Sequence, residues 1–358
     1  MQRCAFVLFL FLNFSFAHAQ NWQLVWEDNF DGNSIDTTKW SHDYGTGSQY
    51  NMWGWGNGEL QYYQSQNTTL NNGIAKIEVK EEPNGIIDSW GALSYYSSSK
   101  ITTKGIFDFR FGKIEARIKT IEGEGFWPAF WMLPTGGSWP CDGEIDIMEQ
   151  WGNNYLTNAT TGAAHIGTCP YSQSTHFYQS FSTYISAGSY ADDFHTYSVV
   201  WKEDTITWYV DDIEKFTINP SSYWSIPSQH AWPFNSNDWY LMINLAIKQS
   251  GPNTNTIFPN QIEIDYVKVY QEGLTSSINI CNNQMFSYIS STNDLIFSKG
   301  MDLNNIRIFN IEGKLILDKQ LNDSHKVDVS FIRNGMYIVE LQDLFGIKRN
   351  DKIIINKH

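Results

Sequence analysis

Apolar and polar residues alternate along most of the first 272 residues, in short runs that are separated by turns. The runs 75–79, 113–118, 144–149, 196–201, 206–210, 240–246 and 262–270 alternate with period two or are rich in β-branched and aromatic residues. This pattern is typical of strands. Glycine, asparagine, aspartate and serine cluster between the runs, as turns require. We therefore predict an all-β fold, either a sandwich or a barrel.

The pattern changes after residue 272. Residues 273–285 are polar and read as a linker, and a second, smaller β-pattern fills 286–358. Its runs 305–309 and 314–317 flank a Glu-Gly pair and predict a hairpin. Because this stretch has no catalytic constellation, we expect it to serve attachment, binding or sorting.

The N-terminus has the three parts of an export signal. Arg3 gives a positive start, an apolar run covers 5–12, and Ala17-His18-Ala19 fits a small-x-small cleavage site. A membrane-spanning helix needs roughly 20 apolar residues, and no run is that long. We predict a signal peptide at 1–19, a mature domain at 20–272 and no transmembrane segment.

Three cysteines remain after such a cleavage, and an exported chain can be oxidised. Cys141 and Cys169 flank the run 144–149, and Cys281 falls in the linker. A bridge between Cys141 and Cys169 and a pair of buried thiols are both open at this point.

Charge and aromatic content restrict the partners. The formal net charge is −14, whereas residues 286–358 carry ten lysines and arginines against nine aspartates and glutamates. The negative charge therefore lies on the first part of the chain, which disfavours nucleic acid and sulfated polysaccharides. The 15 tryptophans offer flat apolar surfaces that suit sugar rings. A neutral glucan therefore fits the acidic, tryptophan-rich chain better than a negatively charged polymer does.

The run 144–149 holds the candidate chemistry. Side chains alternate faces in a strand, so Glu144 and Asp146 share one face and the isoleucines take the other. Regular alternation would send Glu149 into the core, where an unpaired carboxylate is costly. We predict a β-bulge at about Met148, which would return Glu149 to the face of Glu144.

Two glutamates on one face suit a retaining glycosidase, in which one carboxylate attacks and the other donates a proton. The alternative is a solvated acidic edge strand. Alternation also puts Trp127 and Trp131 on one face of the neighbouring run 126–132, as a cleft wall or as core packing.

Five motifs follow one another along the chain: GNGELQYY at 56–63, WPAFWM at 127–132, EIDIME at 144–149, FHTY at 194–197 and IDYV at 264–267. In these motifs and in their order the chain resembles glycoside hydrolase family 16 in its laminarinase-like form. The resemblance implies a concanavalin-like β-jelly-roll sandwich with a substrate cleft. It also implies that Glu144 is the nucleophile, Glu149 the acid/base and Asp146 the residue that orients and tunes the pair.

The resemblance further implies five substrate contacts: Trp127, Trp131, His165, Asn57 and Asn244. Trp127 and Trp131 would stack on sugars at the donor side. His165 could equally be a satisfied strand histidine, and Asn57 could serve only the turn.

No cofactor is implied for catalysis. A structural calcium, as some family members carry, would match Glu27, the carbonyl of Gly73 and Asp265, since oxygen ligands suit this ion. Two departures concern the cleft: the chain has Lys100 where laminarinases usually show arginine, and Lys248-Gln249 where Gly-Gly is common.

The C-terminal stretch contains four characteristic segments, 306–309, 312–314, 334–339 and 352–357. In these segments it resembles a type IX secretion sorting domain. It implies export by the type IX secretion machinery and a secreted or cell-surface protein.

We therefore predict a secreted retaining endo-β-1,3-glucanase that acts on laminarin-like glucan. Within the family the alternatives are a mixed-linkage β-1,3-1,4-glucanase and an agar- or carrageenan-active enzyme. Outside enzymes, the alternatives are a glucan-binding lectin on the same fold and a surface structural protein.

Overall fold

The computed structural model describes residues 22–152, 158–223, 232–272, 286–289, 293–297, 303–311, 313–321, 326–343 and 348–355. The predicted signal peptide at 1–19 and the predicted linker at 273–285 lie outside them. The chain divides into two compact units, 1–275 and 276–358.

The first unit is built from strands and short 3-10 helices. Its strands are β1 Trp22–Asp28, β2 Ser41–His42, β3 Gln61–Tyr63, β4 Thr68–Asn71, β5 Ile74–Ile87, β6 Leu93–Ser98, β7 Lys100–Thr102, β8 Gly112–Lys119, β9 Phe126–Pro134, β10 Glu144–Glu149, β11 Ala159–Ile166, β12 Phe177–Tyr184, β13 His195–Lys202, β14 Thr205–Val210, β15 Ile213–Ile218, β16 Trp239–Ile247 and β17 Asn260–Glu272. The 3-10 helices are Ser48–Tyr50, Trp53–Gly56, Ser65–Asn67, Gln173–Thr175, Pro220–Tyr223 and Pro233–Asn235.

These strands form two sheets. The described strands of the larger sheet run in the order β15-β14-β13-β8-β17-β5-β6-β3, with β1 on β17 and β4 on β5. The smaller sheet has the order β12-β11-β10-β9-β16-β7-β2. The apolar residues of both sheets meet in one hydrophobic core, which confirms the predicted all-β jelly-roll sandwich.

The core explains which face of the smaller sheet is free. Phe126, Phe130 and Met132 of β9 are fully buried in it, as are Leu241 and Ile243 of β16. The alternate residues of these strands therefore lie on the opposite face, where they are available for a substrate.

The second unit is a small β-structure with its own core. Its strands are β18 Phe286–Ile289, β19 Asp294–Phe297, β20 Leu303–Asn310, β21 Leu315–Gln320, β22 Lys326–Asp328, β23 Gly335–Asp343 and β24 Lys348–Ile355. They pair as β18-β19-β22 and β21-β20-β23-β24. The predicted hairpin is confirmed, because β20 pairs antiparallel with β21.

Candidate active site

Strand β10 contains the predicted bulge. Against β9, Asp146 pairs with Trp131 and Met148 pairs with Phe130, so two steps along β10 match one step along β9. The register against β11 shifts between Asp146 and Glu149 as well. The extra residue therefore interrupts the alternation between the second and third carboxyl groups.

The bulge separates apolar from acidic side chains. Ile145, Ile147 and Met148 all lie in the hydrophobic core, at 0 to 2 % exposure. Because two consecutive residues turn inward, Glu149 returns to the side of Glu144. Glu144 and Glu149 are partly exposed there, and Asp146 between them is buried.

His165 of β11 contacts two of the carboxyl groups. Its Nε2 lies 3.0 Å from Oδ2 of Asp146 and 4.0 Å from Oε1 of Glu144. Its Nδ1 shares a hydrogen bond of 2.9 Å with Nε2 of His176. The predicted cleft histidine is therefore paired, and it lies directly beside the carboxyl groups.

The carboxyl groups resist ionisation. Burial raises the pKa of Glu144 well above its ordinary value; the charges of Asp146 and Glu149 add to this, whereas His165 and a hydrogen bond from Trp139 oppose it. Burial also raises the pKa of Asp146 to about 8. Burial and the Asp146 charge raise the pKa of Glu149 to about 8. Such a cluster retains protons near neutral pH, which is the requirement for a general acid.

Trp127 of β9 is tied to the third carboxyl group. Its Nε1 donates a hydrogen bond of 2.9 Å to Oε1 of Glu149, and its ring stacks on Trp151 with centroids 4.7 Å apart. The indole therefore fixes Glu149, and the partly exposed ring borders the site.

A chain of hydrogen bonds joins the other predicted contacts. Trp131 Nε1 donates to Asn244 Oδ1 at 2.7 Å, and Asn244 Nδ2 donates to Tyr63 Oη at 3.0 Å. The Tyr63 hydroxyl donates to Oε2 of Glu59 at 3.0 Å, and Asn57 Nδ2 donates to Oε1 of Glu59 at 3.3 Å. Sequence reasoning named Trp131, Asn244 and Asn57 but missed Glu59 and Tyr63, although both lie in the motif 56–63.

Lys100 is 7 % exposed and lies between aromatic rings. Its Nζ is 4.0 Å from the centroid of the Trp55 ring, 5.5 Å from that of Trp131 and 3.1 Å from Oδ2 of Asp43. Lysine can occupy this position because a compact ammonium needs no planar partner.

The positions predicted for calcium already have cationic partners. The carboxylate of Asp265 is bonded to Arg117 at 2.5 Å, and that of Glu27 lies 4.0 Å from Nζ of Lys268. Gly73 has a positive φ of 76° in a turn. Because both carboxylates are paired with cations, these contacts do not form a calcium cage. Calcium at Glu27, Gly73 and Asp265 stays a prediction. A melting temperature that a chelator leaves unchanged would contradict it.

Cys141 and Cys169 form a disulfide bond, which settles the alternative that the sequence left open. The bond joins the β9–β10 loop (residues 135–143) to the β11–β12 loop (residues 167–176). Cys281 lies outside the described residues.

Two family profiles match the chain. The profile of glycosyl hydrolases family 16 covers residues 46–268. The profile of the secretion system C-terminal sorting domain covers residues 286–356.

Curated relatives and solved structures agree with the first match. The chain is 36 % identical over 270 residues to glucan endo-1,3-beta-glucosidase A1 of Niallia circulans, covering 70 % of this chain and 38 % of that longer protein. It is 33 % identical to a beta-glucanase of Rhodothermus marinus, covering 76 % of this chain and 95 % of that one. The laminarinase catalytic domain of Thermotoga maritima superposes with a TM-score of 0.63 at 35 % identity, covering 71 % of this chain and 99 % of that domain.

Proposed function

The chain belongs to glycosyl hydrolase family 16 and is an endo-β-glucanase of that family, and from this premise we propose that it hydrolyses the β-1,3 bonds of laminarin-like glucans with retention of configuration. One observation carries the retaining mechanism: the bulge of β10 puts two glutamates on one face with an aspartate between them. That arrangement supplies a nucleophile and an acid from one strand.

In the first step Glu144 attacks the anomeric carbon. A bond forms between its carboxylate oxygen and that carbon, and the bond to the leaving oxygen breaks. Glu149 gives its proton to the leaving oxygen, so no free alkoxide is released. In the second step Glu149 takes a proton from water, the water oxygen bonds to the anomeric carbon, and Glu144 is released as a carboxylate.

The two glutamates need opposite protonation states at the start. Glu149 holds its proton because its pKa is raised to about 8, mainly by burial. Glu144 must be ionised, and the contacts that favour its charge are His165 and the hydrogen bond from Trp139. Asp146, which is hydrogen-bonded to Glu144 and has its pKa raised to about 8, is the natural holder of the remaining proton.

The substrate assignment rests on likeness and on the bulge. The Niallia circulans relative is named as a glucan endo-1,3-beta-glucosidase, and the Thermotoga maritima neighbour as a laminarinase. The extra residue at Met148 favours the laminarinase side over lichenase-type relatives. A lectin would bind glucan without needing a protonated Glu149 beside a second carboxyl group, which argues against that alternative.

The matched sorting domain supports export to the cell surface or the medium. Among the described residues, the structure contains no helix that is long and apolar enough to cross a membrane. We propose the type IX secretion machinery as the partner that recognises 286–358. The signal peptide predicted at 1–19 lies outside the described residues.

Product analysis tests the proposal. The purified chain is incubated with laminarin, mixed-linkage β-glucan, agarose and carrageenan in parallel, and the first anomer released is identified by proton NMR. Short oligosaccharides from laminarin first, in the β-configuration, support the proposal. The α-anomer would overturn retention, and products from agarose or carrageenan alone would overturn the substrate. Glucan binding without any product would favour the lectin.

A further inference from the structure

A chain of hydrogen-bonded side chains runs from the cleft into the protein and ends at Glu59, which takes no part in the mechanism above. Trp131 donates from Nε1 to Oδ1 of Asn244, and Asn244 donates from Nδ2 to Oη of Tyr63. The Tyr63 hydroxyl in turn donates to Oε2 of Glu59. Tyr63, Asn244 and Glu59 are at most 9 % exposed. Their donors and acceptors must therefore find partners within the protein.

The two ends of the chain fix its direction. An indole N–H can only donate, so the atom of Asn244 that faces Trp131 must be the oxygen. The amide nitrogen of Asn244 then faces Tyr63, whose oxygen accepts that bond and whose proton must point elsewhere. It points to Glu59, because a carboxylate oxygen accepts without donating. A reversed amide would instead bring two N–H donors together at 2.7 Å.

A second chain of hydrogen bonds ends on the same oxygen of Glu59. The backbone N–H of Ile247 donates to Oε1 of Gln61 at 2.6 Å, which leaves Nε2 of Gln61 to donate to Oε2 of Glu59 at 2.7 Å. Burial raises the pKa of Glu59, whereas the Lys100 charge and the hydrogen bonds to this carboxyl group lower it. Even with a proton on Oε1, Oε2 would accept both bonds. This oxygen is therefore an acceptor for two directed chains.

The outer end of the first chain lies beside the catalytic strand. Trp131 pairs with Asp146 across β9 and β10, and its ring is partly exposed on the face of the smaller sheet opposite the core. The hydrogen bond from its Nε1 to Asn244 restricts the rotation of the ring. Because an ordered ring loses little freedom when a sugar stacks on it, this restriction favours binding.

We infer that Glu59 is a positioning residue for Trp131. By accepting the hydrogen bond from Tyr63, Glu59 leaves the Tyr63 oxygen free to accept from Asn244. Oδ1 of Asn244 thereby remains the atom that faces Trp131. The inference rests on the proposed function, because it assigns the Trp131 ring to glucan binding. The effect of Glu59 is on KM and not on kcat, since the three carboxyl groups of β10 are not members of the chain.

Removal of the acceptor tests this role. In Glu59→Leu the Tyr63 hydroxyl has no acceptor and should turn to Oδ1 of Asn244, which then no longer faces Trp131. We expect KM on laminarin to rise about fivefold, with kcat within about twofold of the unmodified protein. The indole N–H signal of Trp131, assigned by its loss in Trp131→Phe, should move to higher field in proton NMR spectra as its hydrogen bond is lost.

Glu59→Gln is the conservative variant. Its amide oxygen should take the place of Oε2, because Gln61 donates to that position and so selects an acceptor there. The bond from Tyr63 is then retained. We expect KM within about twofold of the unmodified protein and an unshifted Trp131 signal.

A second substitution separates positioning from a general loss of buried structure. Tyr63→Phe, added to Glu59→Leu, removes the competing hydroxyl. In this combined variant Asn244 can again present its oxygen to Trp131. We expect KM to return to within about twofold of the unmodified protein, and the indole signal to return with it. If Glu59 served stability alone, the second change would add to the first.

Tyr197→Phe is the matched control for the second substitution. Tyr197 is fully buried, as Tyr63 is, but it lies on β13 of the larger sheet. Added to Glu59→Leu, it should restore neither KM nor the indole signal. Recovery of both by Tyr197→Phe would overturn the role of the Tyr63 hydroxyl, and with it the inference.

Two further results would contradict the inference. One is an unchanged KM with an unshifted indole signal in Glu59→Leu, and the other is a combined variant that shows no recovery. If Glu59→Leu does not fold, Glu59→Asp replaces it, because the shorter side chain withdraws the carboxylate from Tyr63; the same expected and contrary results apply. An unmodified protein that does not hydrolyse laminarin would overturn the proposed function, while the indole signal would still test the role of Glu59.

Discussion

Glu144 and Glu149 carry the same side chain, and only their neighbours can give them opposite tasks. The carboxyl group of Glu149 accepts a hydrogen bond from the indole of Trp127. Glu144 lies near His165 and receives a hydrogen bond from Trp139. Burial and neighbouring carboxylates raise the pKa of both glutamates, while His165 and one indole hydrogen bond lower the pKa of each, so the two roles are distinguished by the reaction that each variant can still perform.

Azide rescue distinguishes the two roles. In Glu149→Ala the second step lacks its general base, and azide can replace water on the glycosyl-enzyme, so the product should be the β-glycosyl azide. In Glu144→Ala azide enters in place of the nucleophile and should give the α-glycosyl azide. Both variants should lose at least about 100-fold in hydrolysis without azide. Proton NMR of the azides from an activated laminaribioside would contradict the assignment if the two anomers were exchanged.

The pH profile tests the bond between Trp127 and Glu149. Glu149 acts while protonated, and its pKa is raised to about 8, so the alkaline limb of kcat/KM should fall near pH 8. The Trp127 hydrogen bond favours the ionised form and lowers this pKa. Trp127→Phe keeps a ring but removes the donor, so the limb should move to higher pH. The measurement is kcat/KM on laminarin between pH 5 and about 10.

Trp131→Phe is the control for this profile. Its indole bonds to Asn244 and not to Glu149, so substrate binding should weaken while the alkaline limb keeps its position. A limb that moves equally in both variants would show that ring packing, and not the hydrogen bond, controls the pKa of Glu149.

At the scale of the element, the buried acidic groups of β10 lower the stability of the folded state. The folded state holds a proton on Glu149 up to about pH 8, whereas the ordinary pKa of a glutamate is 4.5. The folded state therefore binds more protons in this range, and stability decreases as pH rises from about 4.5 to about 8. Strand β10 is thus expected to be less stable at the alkaline end of the working range.

Glu149→Gln should remove this cost, because the amide is neutral at every pH. We expect the variant to be more stable than the unmodified protein by on the order of 4 kcal/mol at pH 8, and the difference should shrink toward pH 4.5. Denaturant unfolding at both pH values measures it. Glu214→Gln, on the exposed face of β15, should show no such pH dependence, and a constant difference for Glu149→Gln would contradict the explanation.

The bulge can be tested by removing its extra residue. Without Met148, the order Glu144, Ile145, Asp146, Ile147, Glu149 alternates regularly, and all three carboxyl groups still share one face. Deletion of Met148 should therefore retain hydrolysis of glucan but lower the melting temperature, since a fully buried side chain is lost at roughly 2–5 kcal/mol. Activity on laminarin and thermal unfolding check the two parts.

Met148→Ala separates the side chain from the bulge. It should show a similar loss of stability with the extra backbone residue in place, and full retention of activity. If the deletion folded but lost hydrolysis while Met148→Ala kept it, the extra backbone residue itself would be required for catalysis. Placing Glu149 on the face of Glu144 would then not be sufficient.

The features of the site that the sequence predicts are those set by the periodicity of a strand or by the cost of burying a charge. Strand β10 has the predicted bounds, and the bulge followed from the cost of burying Glu149. The contact between the rings of Trp139 and Tyr171 could not be predicted in this way, because both lie in loops without periodicity. It depends on the pairing of Cys141 with Cys169, which spacing alone left open. The buried Glu59 was missed for a different reason: its hydrogen-bond partners Asn57, Gln61 and Tyr63 lie within four residues of it, but periodicity does not show that these side chains converge.

At the scale of the whole molecule, the two units have separate hydrophobic cores. One cluster contains residues between Phe30 and Val269, and the other contains residues between Leu295 and Ile355. Each described core thus lies within its own unit, and the carboxyl groups and their hydrogen-bond partners all belong to the first. The second unit matches the secretion system C-terminal sorting domain.

Truncation tests this independence. Residues 20–272 alone should have the same kcat/KM on laminarin as 20–358, because no described residue of the site lies beyond 272. Calorimetry of the longer chain should show two unfolding transitions, and the truncated chain should keep only the one that a cleft ligand such as a laminarin oligosaccharide raises. A single cooperative transition for the longer chain, or a large fall in the ligand-responsive transition after truncation, would mean that the second unit stabilises the first and has a role beyond sorting.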